Sequence, residues 1–398
     1  MAGTGKTFLL DAAREAWEER GFTVIGAALA AKAAGGLTKG ARISSRTIES
    51  LIGRIDWGRD KGQELLDAKT VLVVDEAGMV DTRRMEKLLS ETARAGATLI
   101  LVGDHQQLQP IDAGGPFAAL VKNLGAVKLR EIIRQREEWM REAVHQFAAG
   151  DARGGLSRYA EAGMLDVAES KTEAIERLIA TWAEQRSNDL KETLILAGTN
   201  ADVDALNDLA QAARFRAGEL VQDKVCFVGK TRFFAGDRVV FGRNDRTLGV
   251  VNGDFGIVED VVVTPILGRT RLLVRLDREE TGKLPFGRRT PAPLRVTVAD
   301  PAETQLRLAY AVTTHKAQGA TVDRSFVLAG GWMQDRELSY VQMSRAREKT
   351  WVFTSESDAG EDLCMLTAAM SRTRAKTLAS VLVSQPAASR RNDLRLSH

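Results

Sequence analysis

At 398 residues the chain is longer than one compact core supports, and its 44% hydrophobic and 27% charged content exclude a fibrous or wholly disordered protein. Its 56 Lys and Arg nearly cancel 53 Asp and Glu, so a nucleic-acid surface must come from local clustering rather than from net charge. Two distant cysteines, Cys226 and Cys364, exclude a secreted disulfide framework, and no apolar run reaches the roughly 18 residues of a membrane helix, so the reading is a cytoplasmic protein without a membrane partner.

The first 130 residues alternate helical and buried-strand patterns: a helix over 7–20, then short apolar runs at 23–25, 71–74 and 98–102. Apolar runs of this kind separated by amphipathic helices predict a parallel sheet covered on both faces, an α/β fold. From 129 to 185 the spacing of Trp139, Ala143, Phe147, Ile175, Leu178, Ile179 and Trp182 predicts helices that bridge two domains. Thr193-Leu194-Ile195-Leu196 and a helix starting near Asn200 open a second α/β unit. Gly and β-branched residues between 230 and 299 predict a small β-barrel inserted into it, and the α/β pattern resumes with strands at 325–328 and 350–353. The Arg- and Ser-rich stretch 371–398 reads as a basic, poorly ordered tail.

Three segments carry the chemistry of nucleotide hydrolysis. Gly3-Thr4-Gly5-Lys6-Thr7 opens a helix, where backbone N–H groups and a positive helix end receive phosphates, Lys6 neutralises them and the Thr7 hydroxyl binds Mg2+. A plain Gly-containing helix start satisfies the same residues. The buried run at 71–74 ends in Asp75-Glu76, one acid for Mg2+ and one to orient and deprotonate a water, although a solvated turn also fits two such acids. A third strand ends in Gly103-Asp104-His105-Gln106-Gln107, whose Gln107 amide is placed to sense a γ-phosphate; a surface turn is the bland alternative.

Together with Thr314-His315-Lys316-Ala317-Gln318-Gly319 and Ser344-Arg345-Ala346-Arg347-Glu348, these segments fall in the order of the superfamily 1 helicase motifs and most resemble the RecD-like and conjugative TraA-type relaxase-helicases. The resemblance implies two RecA-like P-loop NTPase domains with parallel sheets, and an SH3-like barrel inserted in the second. It divides the chain into a first motor domain at 1–135, a helical linker region at 136–190, a second motor domain at 191–229 and 300–370, and the insert at 230–299. Gly3, Thr4, Gly5, Lys6 and Thr7 match the phosphate loop, Asp75 and Glu76 the Mg2+ ligand and catalytic base, and Gln107 the sensing glutamine. Arg134 resembles an arginine that reaches the γ-phosphate and Arg345 the arginine finger of the second motor domain. A solvated basic face of Arg345 and Arg347 with Glu348 is the bland alternative.

The implied activity is ATP- and Mg2+-dependent unwinding or translocation on single-stranded DNA, 5′ to 3′, within a conjugative relaxase-helicase that works with a relaxase domain or conjugation machinery. Thr47, Thr314, His315, Lys316 and Gln318 match DNA-contacting positions, and Trp57, Phe286 and Trp332 are candidates for base stacking, with a core role as the alternative. The family pattern has a strand and a glycine ahead of the first residue, so a piece lacking the first strand is expected, from a truncated product, a misassigned start or a larger chain. Two competing readings follow: an impaired remnant that binds DNA or partners without turning over ATP, and a P-loop ATPase or kinase unrelated to DNA.

Overall fold

The computed structural model describes residues 4–110, 114–129, 131–264, 269–280 and 292–375. They group into two units, one from Met1–Arg134, Asp335–Val341 and Arg372–His398, the other from Gln135–Gln334 and Gln342–Ser371.

The first unit runs α1 (Lys6–Glu19), β1 (Thr23–Ala28), α2 (Ala31–Ala41), β2 (Ser44–Thr47), α3 (Ile48–Asp60), β3 (Thr70–Asp75), α4 (Thr82–Ala95), β4 (Thr98–Leu101) and α5 (Pro116–Leu124). Its four strands are parallel in the order β2-β1-β3-β4. Side chains alternate across a strand, and β3 shows the consequence: Val71 and Val73 pack with Leu10 of α1 and Leu37 of α2, while Leu72 and Val74 pack with Leu51 of α3 and Leu88 of α4. Both faces are covered, so an unbroken apolar run is what this strand needs. Local chemistry sets the helix ends. Asp81 accepts the Arg84 N–H at 3.0 Å to start α4, and Gly96, at φ 64°, ends it in the left-handed conformation that glycine adopts freely. Leu99, Ile100 and Leu101 of the edge strand β4 are only half-buried, whereas 71–74 are buried.

The second unit begins with α6 (Glu138–Ala149), α7 (Ala152–Glu161), β5 (Leu165–Ala168), α8 (Lys171–Gln185), β6 (Thr193–Ala197) and α9 (Asn200–Arg216). Seven strands follow: β7 (Val221–Val228), β8 (Thr231–Ala235), β9 (Arg238–Val240), β10 (Phe255–Thr264), β11 (Arg269–Glu280), β12 (Ala292–Val298) and β13 (Arg307–Leu308). Then come β14 (Ala311–Thr313), β15 (Val322–Leu328), β16 (Ala346–Ser355), α11 (Glu356–Ala359) and α12 (Cys364–Ser371), while α10 (Arg336–Met343), which falls between β15 and β16 in the chain, belongs through Asp335–Val341 to the first unit. A parallel sheet in the order β14-β6-β15-β16-β5 forms its α/β part, and an antiparallel sheet β12-β11-β10-β9-β13 with the β7-β8 hairpin forms the insert.

Two boundaries differ from expectation. The stretch 136–190 does not bridge domains: it belongs to the second unit, and its β5 pairs with β16 as the edge of the parallel sheet. The antiparallel strands extend from Val221 to Leu308, beyond the expected 230–299, because β13 pairs back onto β9. The insert is joined to the α/β part by a buried hub at Asp237, whose carboxylate accepts from the Tyr310 hydroxyl at 2.6 Å, Gln211 Nε2 at 2.7 Å and the Phe234 N–H at 2.7 Å. Gly3, Phe286 and residues 376–398 of the expected tail lie outside the described residues.

Candidate functional site

In the first unit Gly5, Lys6, the acid pair and the third-strand loop gather at the carboxyl end of the sheet. Gly5 stands at φ 75°, a left-handed turn from which α1 departs at Lys6; no side chain caps that helix start and no acid occupies its first turn. Its N–H groups present a positive helix end with no carboxylate in the first turn, the electrostatic condition for an anion. Gly40 of α2 lets α1 come close, since a Cβ there would lie 2.5 Å from Thr7 Cγ2.

Asp75 ends β3 and is largely buried; burial first, and the Glu76 carboxylate second, push its pKa up to about 6, with Lys6 and the Glu76 N–H, 2.9 Å from Oδ1, pulling the other way. Glu76 has φ 51°, a left-handed backbone rare for a residue with a side chain, which costs about 1–2 kcal/mol. Its turn is locked onto the third-strand loop: Ala77 N–H donates to Val102 O at 2.9 Å, and a Cβ on Gly103 would lie 2.9 Å from the Gly78 nitrogen. Backbone contact this close admits only glycine.

Asp104, absent from the expected site residues, is the hub of that loop. Its carboxylate accepts from the Tyr340 hydroxyl at 2.8 Å, the Gln106 N–H at 3.1 Å and Gln107 Nε2 at 3.2 Å. Burial alone would raise its pKa; nearby positive charge, Lys6 included, and these hydrogen bonds hold it below the ordinary carboxylate value. Lys6 thus bears electrostatically on both Asp75 and Asp104. The Asx-type turn of an Asp two residues before Gln106 was visible in the motif, but Tyr340 comes from 236 residues away. Thr47 caps α3, accepting the Ser50 N–H at 3.2 Å, and Arg134 is half-buried at the end of this unit's main segment.

In the second unit, Thr314-His315-Lys316-Ala317-Gln318-Gly319 forms a tight turn after β14, with Gly319 at φ 76°. Thr314 is fully buried; its hydroxyl donates to Ala197 O at 3.2 Å and accepts from Gln342 Nε2 at 3.1 Å, so it anchors the turn. Burial lowers the pKa of His315 and, with Arg307 nearby, that of Lys316. A cleft of about 370 Å³ beside the turn is lined by Thr313, Lys316, Arg307, Asn200, Asp204 and Asp208. Arg345 is 1% exposed and donates to Ala320 O at 3.3 Å and Ser344 Oγ at 2.8 Å. The Arg347 guanidinium is held by Glu192 at 2.8 Å and Asp323 at 2.7 Å. Trp57 and Trp332 are exposed.

Among the described residues, buried amide atoms without a hydrogen-bond partner occur on Gln107, Gln135 and Gln318, the last through both Oε1 and Nε2. Each such atom is destabilising by about 1–3 kcal/mol, and native folds retain them mostly where another role requires the group.

Two parallel-sheet units, the first with acids and a lysine at its sheet's carboxyl end, define an α/β protein with RecA-like domains. The model of the AAA domain family matches residues 1–170. The chain is similar to the conjugal transfer protein TraA of Agrobacterium fabrum, 43% identical over 87% of this chain and 30% of that protein, and to the ATP-dependent RecD2 DNA helicase of Deinococcus radiodurans, 28% identical over 87% and 45%. Its fold is like that of a Bacteroides Pif1 solved bound to ssDNA, with a TM-score of 0.54 at 18% identity, covering 88% of this chain and 87% of that one. The chain belongs to the superfamily 1 helicases of RecD/TraA type and spans about a third of the length of the TraA relative. No described helix is long and apolar enough to cross a membrane.

Proposed function

We propose that the chain is the motor portion of a conjugative relaxase-helicase, an ATP-dependent translocase that moves 5′ to 3′ on single-stranded DNA and unwinds duplex ahead of it. The observation that carries this reading is the convergence of Lys6, Asp75 and Glu76 beside the open start of α1, a cation, two acids and a helix end suited to a triphosphate. Lys6 and the α1 N–H groups hold the β- and γ-phosphates, with Thr4 and Gly5 shaping the loop. Thr7 and Asp75 would hold Mg2+, and the raised pKa of Asp75 fits that role because a carboxylate that is buried, and beside another acid, is stabilised by a cation. The ion, when bound, screens the phosphate oxygens. Glu76 orients and deprotonates the attacking water, Gln107 reads the γ-phosphate, and Arg134 and Arg345 stabilise the charge that develops on it.

On the DNA side, His315, Lys316 and Gln318 contact the strand with Thr47, while Thr314 fixes their turn. The orphaned amide of Gln318 supports this, since a nucleic-acid phosphate or sugar supplies the partners that it lacks. The antiparallel insert acts as an SH3-like module beside the strand, and the longer protein supplies a relaxase domain or docks the conjugation machinery.

ATP hydrolysis measured with and without single-stranded DNA tests the reading, with Lys6→Ala as control. Hydrolysis stimulated by DNA and abolished by Lys6→Ala is the expected result. DNA binding without hydrolysis would instead indicate the impaired remnant, and hydrolysis indifferent to DNA an unrelated ATPase.

A further inference from the structure

Gln135 has no role in the motif comparison, yet it is 1% exposed and its side chain reaches the segment that carries Arg345. Gln135 Nε2 donates to two backbone carbonyls, Ser344 O at 3.3 Å and Ala346 O at 2.9 Å. The carbonyl between them, Arg345 O, accepts the Val322 N–H at 3.2 Å. Three successive carbonyls around the Arg345 Cα are therefore tied, two of them by one carboxamide. The next residue continues the attachment: the Arg136 N–H donates to Arg347 O at 2.9 Å, and the Arg136 guanidinium pairs with Glu348.

The residue type follows from this geometry. A neutral carboxamide puts two N–H donors on one nitrogen, which is what bridging two carbonyls requires. Glutamate would set acceptors against acceptors, and an apolar side chain would take this donor away from both carbonyls. The cost is visible at the other end of the group, where Gln135 Oε1 is buried without a partner. Side chains that keep such an orphaned atom are retained for what the rest of the group does.

We infer that Gln135 is a positioning residue for Arg345: it fixes the peptide groups flanking Arg345 and so sets where the guanidinium points. The inference rests on the proposed action of Arg345 on the γ-phosphate. Gln135 directly follows Arg134, so one dipeptide carries the first phosphate arginine and holds the backbone of the second. An arginine on a loose backbone spreads over many orientations; tying its backbone leaves only the side-chain torsions to be ordered, and misplacement by about 1 Å is enough to slow catalysis by about a hundredfold.

The test is steady-state ATP hydrolysis with saturating single-stranded DNA for wild type, Gln135→Met, Gln135→Glu, Arg345→Ala and the Gln135→Met/Arg345→Ala double variant. Gln135→Met keeps length and bulk but has no donor; Gln135→Glu serves if the Met variant does not fold, and melting curves report folding for all. The expected result is a kcat at least about tenfold lower for Gln135→Met with KM for ATP within about twofold, and no further loss when the change is added to Arg345→Ala, the non-additivity of two residues acting through one group. A kcat within twofold of wild type for the folded variant, or an undiminished additional loss in the Arg345→Ala background, overturns the positioning role alone. Wild-type turnover by Arg345→Ala itself would overturn the finger reading and this inference with it.

Discussion

The Tyr340 hydroxyl donates to Asp104 Oδ2 at 2.8 Å, so the loop after β4 is held by a residue that lies 236 positions along the chain yet packs within the same unit. Leu108 packs with Leu338 and Val341 beside it, an apolar support for the polar contact. Tyr340→Phe removes one hydrogen bond to a charged group, a loss of about 1.5–3 kcal/mol in a buried site. The Asp104 pKa is depressed in the fold, so its contribution to stability is present above the unfolded carboxylate value and is lost as pH falls through the folded one. Chemical denaturation from pH 7 down to pH 3 is expected to show wild type losing its advantage over Tyr340→Phe at the acid end. Equal stability of the two at pH 7 would show that the hydroxyl contributes nothing.

Asp75 behaves in the opposite sense. Its pKa is raised to about 6, so the folded state favours the protonated acid: the associated stability is complete below the unfolded carboxylate value and is lost as pH rises through about 6. At pH 8 without nucleotide, Asp75→Asn is therefore expected to be more stable than wild type by up to about 2–3 kcal/mol, while its Mg2+-dependent hydrolysis is lost. The same group sets an acid limb on turnover. Because kcat/KM reports the free enzyme, its value for Mg-ATP is expected to fall about tenfold per pH unit below pH 6. A flat profile from pH 8 to pH 5 would refute the assignment.

What the sequence made legible, and what it hid, follows from burial. β1, β3, β6, β15 and β16 were readable because parallel strands covered on both faces are continuous apolar runs, and β4, although at an edge, keeps such a run in Leu99-Ile100-Leu101. β2 is Ser44-Ser45-Arg46-Thr47, an edge strand with no apolar signature, and β5 is four residues between helices, also at an edge. Short edge strands carry little pattern because half of their groups face outward. Lys6, Asp75 and Glu76 were legible as candidates because each ends or begins an element near its motif partners. Tyr340 and Gln135 were not, since their bonds to Asp104 and to the Arg345 segment span 236 and 209 residues, and nothing in local composition marks a long-range hydrogen bond.

Asp237 offers a prediction on stability alone. It is fully buried and accepts from Tyr310, Gln211 and the Phe234 N–H, while Arg214 donates to the Tyr310 hydroxyl at 3.0 Å. Asp237→Ala leaves the Tyr310 hydroxyl and the Gln211 and Phe234 N–H donors short of their acceptor and removes the negative charge near Arg214, a change expected to destabilise the second unit by about 3–5 kcal/mol. Denaturant titration read from the unit's tryptophans, Trp182 foremost because its ring packs edge-on to Tyr310 at 5.8 Å, checks this. An unfolding midpoint within error of wild type would mean that the hub does not hold the insert.

Arg345 and Arg347 are two residues apart and share one charge, but their surroundings assign them different work. Arg347 is matched by two carboxylates, so replacing it is expected to affect stability, modestly because the pair is partly solvated. Arg345 donates to Ala320 O and Ser344 Oγ, and its backbone is tied on three consecutive carbonyls. An arginine on a fixed backbone suits the proposed task, in which negative charge arrives with the substrate. Arg345→Ala is accordingly expected to slow DNA-stimulated hydrolysis by about three to five orders of magnitude, with nucleotide binding held within a few fold. Arg347→Ala is expected to change turnover by less than about tenfold. Measuring kcat and nucleotide Kd for both variants decides the matter, because a structural role for Arg345 predicts that binding, melting and turnover decline together.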